Sequence, residues 1–152
     1  MLRKILLSMP LCLLLITQLN AEPALHNING EQIPLSSLSG KWVYINYWAS
    51  WCRPCLEEIP ELNRFYEQHK DDKDFAMFAV NYDSLPIAQQ EILIQKLGIQ
   101  YPALKYDPRS LLNLGHINGV PVTFVFNPQG ELSDTLYGSQ TAKSLYKVAS
   151  AS

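Results

Sequence analysis

The stretch WASWCRPCLEEIP, residues 48–60, joins two segments of different periodicity and carries two of the chain's three cysteines. Immediately before it, WVYINYW (residues 42–48) is rich in aromatic and β-branched residues, which predicts a buried central strand. From Cys52 onward the apolar residues recur at helical spacing, and Pro54 suits a first helical turn, where no amide donor is needed. The sequence therefore predicts a strand, a sharp turn and a helix whose N-terminus carries Cys52.

The segments on either side of this stretch also alternate between strand and helix patterns. Asn29-Gly30 is typical of a β-hairpin near the N-terminus, and FAMFAVNY (residues 75–82) predicts a second apolar strand. A helix is predicted over residues 85–97, with Ser84 as its N-cap and Gly98 as its end.

The C-terminal third predicts a closing β-β-α unit. The pattern indicates a short helix over residues 109–114 and a strand over residues 120–126 with a proline at its head. The hairpin partner of that strand follows over residues 131–137, and a final helix over residues 141–149. The fold class is therefore α/β, with a central mixed β-sheet flanked by helices and an N-terminal β-hairpin extension.

Length and charge limit the classes of protein to which the chain can belong. A chain of 152 residues accommodates one compact domain, and a formal net charge of −2 without a basic stripe argues against nucleic-acid binding. Arg3 and Lys4 precede a leucine-rich apolar run that ends near Asn20. This arrangement predicts that residues 1–21 are a signal peptide or a retained N-terminal anchor, that residues 22–152 form the folded domain, and that the protein is exported to the periplasm or another extracytoplasmic location.

The position of Cys52 predicts redox chemistry. The free amides and the positive dipole end of a helix stabilise a thiolate, so the pKa of Cys52 should lie below the usual value of about 8.5. Arg53 adds a neighbouring positive charge. Cys55, one turn further in, can attack a mixed disulfide formed on Cys52, which makes Cys52 the nucleophile and Cys55 the resolving thiol.

Other uses of the cysteines fit less well. A disulfide across two residues restrains the unfolded chain little, so structural stapling explains the pair poorly. Zinc commonly takes four ligands, and the three histidines are scattered without ligand spacing, so no metal site is predicted. Copper delivery by the two thiols alone remains an alternative.

Several motifs together resemble the thioredoxin superfamily, and in particular its exported TlpA/ResA/CcmG branch. They are WASWCRPC, Pro60 five residues after the second cysteine, and GVPVTF at residues 119–124. The resemblance spans residues 25–152 and implies a thioredoxin fold with Pro121 in the cis form opposite the cysteines. It also implies that the main chain of Val120 pairs with a bound polypeptide. The alternative for Pro121 is an ordinary proline at the start of a strand.

The resemblance further implies a role for Glu58. Thioredoxins proper carry a buried aspartate six residues before the first cysteine, where this chain has Asn46, which cannot accept a proton. The exported reductases place a glutamate three residues after the second cysteine, which here is Glu58. A carboxylate near the thiols should have a raised pKa and could take the proton of Cys55, unless Glu58 is simply a solvated helix residue. Trp51 is a candidate for the surface that meets substrates.

The residues between the cysteines favour a reductase. Arg53 and Pro54 tune the pair, and the histidine that strongly oxidising relatives carry before the second cysteine is replaced here by Pro54. The resemblance implies that disulfide-containing secreted proteins, including c-type apocytochromes, are clients and that a membrane-embedded thiol reductant supplies electrons. The redox-active Cys52–Cys55 disulfide is the only cofactor expected. A disulfide oxidase or isomerase of the same fold, or a non-catalytic binding or metal-delivery module, is the alternative.

Overall fold

The computed structural model describes residues 21–150 of the chain. The predicted leader falls almost entirely on residues 1–20 and so lies outside the described residues. Among residues 21–150, no helix has both the length and the apolar character that crossing a membrane requires.

Within residues 21–150, nine strands and helices follow one another in the order that the sequence predicts for its main elements. They are β1 (Ala24–His26), β2 (Gln32–Pro34), β3 (Trp42–Trp48), α1 (Arg53–His69), β4 (Phe75–Asn81), α2 (Ile87–Leu97), β5 (Val122–Phe126), β6 (Leu132–Tyr137) and α3 (Ala142–Ser150), with a short 3₁₀ turn at Leu35–Leu38. β1 and β2 form a separate antiparallel hairpin, as Asn29-Gly30 predicts. The main sheet has the strand order β4-β3-β5-β6, in which β3 and β4 are parallel and the other pairs antiparallel. A mixed sheet flanked by helices, with an N-terminal β-hairpin, is thus confirmed.

Strand β3 separates two apolar clusters because successive side chains of a strand point to opposite faces of the sheet. Tyr44 and Trp48 belong to the cluster that contains the apolar residues of α1 and Leu145 of α3. Val43, Ile45 and Tyr47 belong to the other cluster, which the N-terminal hairpin and the segment before β5 help to form. The cysteines follow the last residue of this central strand and lie on the α1 side.

The start of α2 differs from the prediction. Ser84 is not the N-cap; it adopts a left-handed backbone conformation with φ of +55°, and the helix begins at Ile87 after Pro86. The physical reason is Pro86, because a residue that precedes a proline is disfavoured in the helical region, so Leu85 cannot begin the helix. The Gln90 side chain donates to the Leu85 carbonyl at 2.7 Å instead. The predicted end of the helix at Gly98, in the left-handed conformation, is confirmed.

The short helix predicted over residues 109–114 is also wrong. This segment forms consecutive hydrogen-bonded turns, in which the Leu112 amide donates to the Pro108 carbonyl and the Leu114 amide to the Arg109 carbonyl. Asn113 has a φ of +53°, and a left-handed residue ends helical propagation within one turn. The third difference is small: β5 begins at Val122 rather than at residue 120, since Pro121 has no amide to donate to a sheet.

Candidate active site

The two cysteines lie where β3 ends and α1 begins, as the sequence predicts. Cys52 is the N-cap of α1, the two residues are joined by a disulfide, and the Cys55 amide donates to Cys52 Sγ at 3.2 Å. Cys55 is completely buried, whereas 4% of the Cys52 surface is exposed. Cys52 is therefore the more accessible of the two sulfurs, and its part as nucleophile stays a prediction.

The loop that presents Cys52 is held by the end of the neighbouring parallel strand. The Ser50 amide donates to Asp83 Oδ2 at 2.8 Å, and the Tyr82 amide donates to the Trp48 carbonyl at 2.8 Å. Asn81 orients Asp83 by donating to the same carboxylate oxygen at 2.9 Å. These bonds fix the turn between strand and helix, so the cysteines are presented by a defined backbone rather than by a loose loop.

The segment before β5 lies against the N-terminal cysteine. The Val120–Pro121 peptide bond is cis, in agreement with the expected geometry, and the Val120 carbonyl oxygen lies 3.5 Å from Cys52 Sγ. Gly138, directly after β6, donates its amide to the Pro121 carbonyl at 2.9 Å. The backbone of Val120 thus borders the sulfur of the N-terminal cysteine.

Glu58 lies on α1 one turn beyond Cys55 and is buried, with 2% of its surface exposed. This burial removes the alternative of a solvated helix residue. Its Oε1 accepts from Asn46 Nδ2 at 2.9 Å, and its Oε2 accepts from the Gln140 amide at 2.8 Å. Burial raises the pKa of Glu58 to about 7, although both hydrogen bonds act in the opposite direction. A carboxyl group with this pKa can gain or lose a proton near neutral pH.

The residues predicted to tune the pair or meet substrates lie on the surface. Trp51, next to Cys52 in the chain, is 68% exposed, and its contact with substrates stays a prediction. The Arg53 side chain is 88% exposed and pairs with Glu57 at 2.8 Å, so its charge is partly neutralised by that carboxylate. Pro54 occupies the first turn of α1, and its carbonyl accepts from Ser139 Oγ at 3.0 Å. The structure thus brings Trp51, Arg53 and Pro54 to one end of α1 around the cysteines.

The sequence did not predict a part in the site for three residues around Glu58. Asn46 was noted only as a departure from thioredoxins proper, and it is in fact a direct partner of Glu58. The alternation of β3 could have placed it on the α1 face together with Tyr44 and Trp48. Tyr101 and Gln140 are distant in sequence, and no local pattern identifies them. In the part of the chain that the structure describes, no group of three or more His, Cys, Asp or Glu side chains is arranged to hold a metal ion.

Comparison with known proteins agrees with this site and fold. The model of the AhpC/TSA family matches residues 17–135. The thiol-disulfide oxidoreductase ResA of Bacillus subtilis (strain 168) is 30% identical over 122 residues, which are 80% of this chain and 67% of ResA. The thioredoxin-like protein YneN of the same organism is 26% identical over 124 residues, 80% of this chain and 71% of YneN.

A solved structure shows that the three-dimensional fold is also similar to that of a known protein. The crystal structure of StoA from Bacillus subtilis has a TM-score of 0.69 and 27% sequence identity, and the match covers 83% of this chain and 94% of that one. The predicted thioredoxin fold is thereby confirmed. The chain belongs to the AhpC/TSA family, with a thioredoxin-like fold and the cysteine pair of a thiol-disulfide oxidoreductase.

Proposed function

We propose that the protein is a reductase of protein disulfides outside the cytoplasm, with Cys52 as the attacking thiol and Cys55 as the resolving thiol. The observation that carries this proposal is the buried Glu58 carboxyl group one helical turn beyond the buried Cys55. A thiol in an apolar interior needs a nearby base to become a nucleophile, and the position of the buried Glu58 one turn away on the same helix supports that role.

The first step forms a mixed disulfide. In the reduced protein the Cys52 thiolate attacks one sulfur of the client disulfide, so that a bond from Cys52 Sγ to that sulfur forms, the client S–S bond breaks and the other client sulfur leaves as a thiolate. The Cys55 amide, which lies 3.2 Å from Cys52 Sγ, supports the attacking thiolate at the helix N-terminus. The Val120 backbone aligns the bound client segment beside Cys52, and Pro121 and Trp51 complete the surface that this segment contacts.

The second step releases the client. Glu58 takes the proton of the Cys55 thiol, and the Cys55 sulfur attacks Cys52 Sγ. The Cys52–Cys55 disulfide forms, the mixed disulfide breaks and the second client sulfur leaves as a thiolate, which takes up a proton from solvent. Two electrons pass to the client in total. The product is the oxidised pair, the same disulfide that joins the cysteines in this structure.

The charges around the pair support the reducing direction. A strongly oxidising pair has a reduced form that is stabilised by additional contacts to the thiolate. Here the Arg53 charge is exposed and shared with Glu57, so it adds little to the stabilisation by the helix N-terminus. An ionised Glu58 disfavours a thiolate nearby, which raises the free energy of the reduced form and makes the pair a better electron donor.

We further propose export and a cytochrome-related role. The apolar leader of residues 1–21 supports export to the periplasm or another extracytoplasmic space, with the leader either cleaved or kept as an anchor. A reductase in an oxidising compartment needs an outside supply of electrons, for which a membrane-embedded thiol reductant is the proposed donor. The proposed clients are disulfide-containing secreted proteins, with c-type apocytochromes as the specific candidate, and no cofactor beyond the redox-active disulfide is required.

The proposal is tested by comparing the two directions of exchange on model clients. The reduced protein, resupplied by dithiothreitol, should reduce the interchain disulfides of insulin over many turnovers. The oxidised protein should form disulfides in reduced ribonuclease far more slowly. Faster oxidation than reduction would identify a disulfide oxidase, and the absence of turnover in both assays would identify a binding or metal-delivery module.

A further inference from the structure

A chain of buried hydrogen bonds leads from Glu58 into the core. Asn46, on the central strand, donates from Nδ2 to Glu58 Oε1 at 2.9 Å and to Thr123 Oγ1 at 3.1 Å. On its other side, Asn46 Oδ1 accepts from the Tyr101 hydroxyl at 3.2 Å. Asn46, Glu58 and Tyr101 are all at least 98% buried. Each polar atom in this chain therefore depends on its protein neighbours for hydrogen bonds.

The orientation of the Asn46 amide decides what it offers to Glu58. With Nδ2 toward the carboxylate, a donor faces an acceptor, which favours the ionised form. With the amide rotated, Oδ1 would face a carboxylate oxygen, and that contact is favourable only when Glu58 is protonated and donates to Oδ1. In the first orientation Oδ1 faces the Tyr101 hydroxyl and accepts its hydrogen bond.

Tyr101 is suited to this task because its hydroxyl keeps its proton. Burial holds the pKa of Tyr101 well above its usual value, and the charge of Glu58 acts in the same direction. Among the contacts of the described residues, Asn46 Oδ1 is the acceptor of that hydroxyl. A buried O–H group that lost this acceptor would be left unsatisfied, so the donor remains aimed at Asn46.

We propose that Tyr101 is a positioning residue of the active site, since its hydroxyl holds the Asn46 amide with its donor end toward Glu58. The inference deepens the proposed function and depends on it for the catalytic use of Glu58. Tyr101 takes no direct part in the exchange between the two thiols. It acts through Asn46, from the segment between α2 and β5.

The surroundings of Glu58 leave few other groups that could set its protonation. Strand β3 presents the neutral amide of Asn46, which also donates to Thr123 of β5, and the segment before α3 presents the Gln140 backbone amide. Tyr101 comes from the loop after α2, and on the same helix the titratable neighbours are the two cysteines once reduced and the more exposed Glu57 and Glu61. Loss of the Tyr101 hydroxyl should therefore act on Glu58 through the amide of Asn46.

The test is a titration of the Glu58 carboxyl carbon by ¹³C NMR in the oxidised protein. In Tyr101→Phe, Glu58 should bind its proton about tenfold more tightly than in the wild type, which is an increase of about one in the pKa of Glu58. Tyr44→Phe is the matched control, because Tyr44 is an equally buried tyrosine whose hydroxyl donates to the Leu145 carbonyl at 3.3 Å. It should leave the Glu58 titration unchanged. An unaltered midpoint in Tyr101→Phe, or equal changes in the two variants, would overturn the proposal.

A second pair of variants tests the route through Asn46. In an Asn46→Ala background, Tyr101→Phe should have no further effect on the Glu58 midpoint, because the amide that Tyr101 positions is gone. An effect that persists would mean that Tyr101 acts on Glu58 directly, and the positioning account would be wrong. Since these titrations use the oxidised protein and no client, their outcome is separate from whether the protein works as a reductase.

Discussion

Cys52→Ser should abolish the reduction of insulin by this protein, with a loss of more than about 10³-fold in turnover. A serine hydroxyl at the N-cap keeps the helix-capping geometry, but it remains protonated at neutral pH and cannot form a disulfide with a client. The loss should appear in the turnover rate with the fold retained, which circular dichroism checks. Residual turnover within tenfold of the wild type would contradict the assignment of Cys52 as nucleophile.

The matched control for this result is Cys55→Ser. This variant keeps the attacking thiol but has no resolving thiol, so it should accumulate a mixed disulfide between Cys52 and the client. Electrophoresis without reductant and mass spectrometry would detect the trapped complex, and dithiothreitol should release it. If Cys52→Ser trapped clients and Cys55→Ser did not, the order of the two thiols would be reversed.

Glu58→Gln should slow the release of client by about 10²-fold at pH 8 and change how the rate depends on pH. In the wild type, Glu58 accepts the Cys55 proton only when ionised, so the release rate should fall as the pH drops below about 7. Because glutamine cannot accept that proton at any pH, the fall of the release rate at acidic pH (the acidic limb of the pH–rate profile) should disappear. Single-turnover reduction of a fluorophore-labelled disulfide peptide, followed from pH 5 to 9, measures both effects.

Glu57→Gln provides the control on the same helix. Glu57 is exposed and paired with Arg53, so its loss should leave the acidic limb near pH 7 in place. The same midpoint in wild type and Glu58→Gln would show that another group sets the pH profile.

Glu58→Gln should also change how the free energy of unfolding depends on pH. Burial raises the Glu58 pKa from an ordinary value of 4.5 to about 7, so the folded protein holds this proton more tightly than the unfolded chain does. The stabilisation is complete below about pH 4.5 and is lost as the pH rises through about 7, at a cost of about 3 kcal/mol in the free energy of unfolding. Relative to wild type, oxidised Glu58→Gln should therefore gain stability between pH 4.5 and 8 in urea unfolding. If the free energies of unfolding of the two proteins differed by the same amount at every pH, the raised pKa of the buried Glu58 would be contradicted.

The sequence predicted those parts of the site that are local in the chain. The aromatic strand at residues 42–48, the cysteines at the start of α1 and Glu58 one turn later belong to a single continuous stretch, and strand and helix periodicity place them relative to one another. Gly98 likewise predicted the end of α2, and Asn29-Gly30 predicted the N-terminal hairpin. The resemblance of GVPVTF to thioredoxins, rather than periodicity, predicted the cis bond at Pro121.

The parts that were missed depend on contacts between distant segments. Tyr101 reaches Asn46 across 55 positions and the Gln140 amide reaches Glu58 across 82, and neither partner carries a local signal. Nor did the errors at Ser84 and residues 109–114 come from the hydrophobic pattern. They came from backbone effects, namely a proline two residues after Ser84 and a left-handed Asn113.

The reduction potential of the Cys52–Cys55 pair shows whether the pair donates electrons. The oxidised and reduced forms would be equilibrated in dithiothreitol or glutathione buffers of known ratio and quantified after acid quenching and thiol alkylation. For a reductase we expect a potential near or below about −230 mV, on the side of thioredoxin at about −270 mV. A potential near about −120 mV, that of a strong disulfide oxidant, would contradict it.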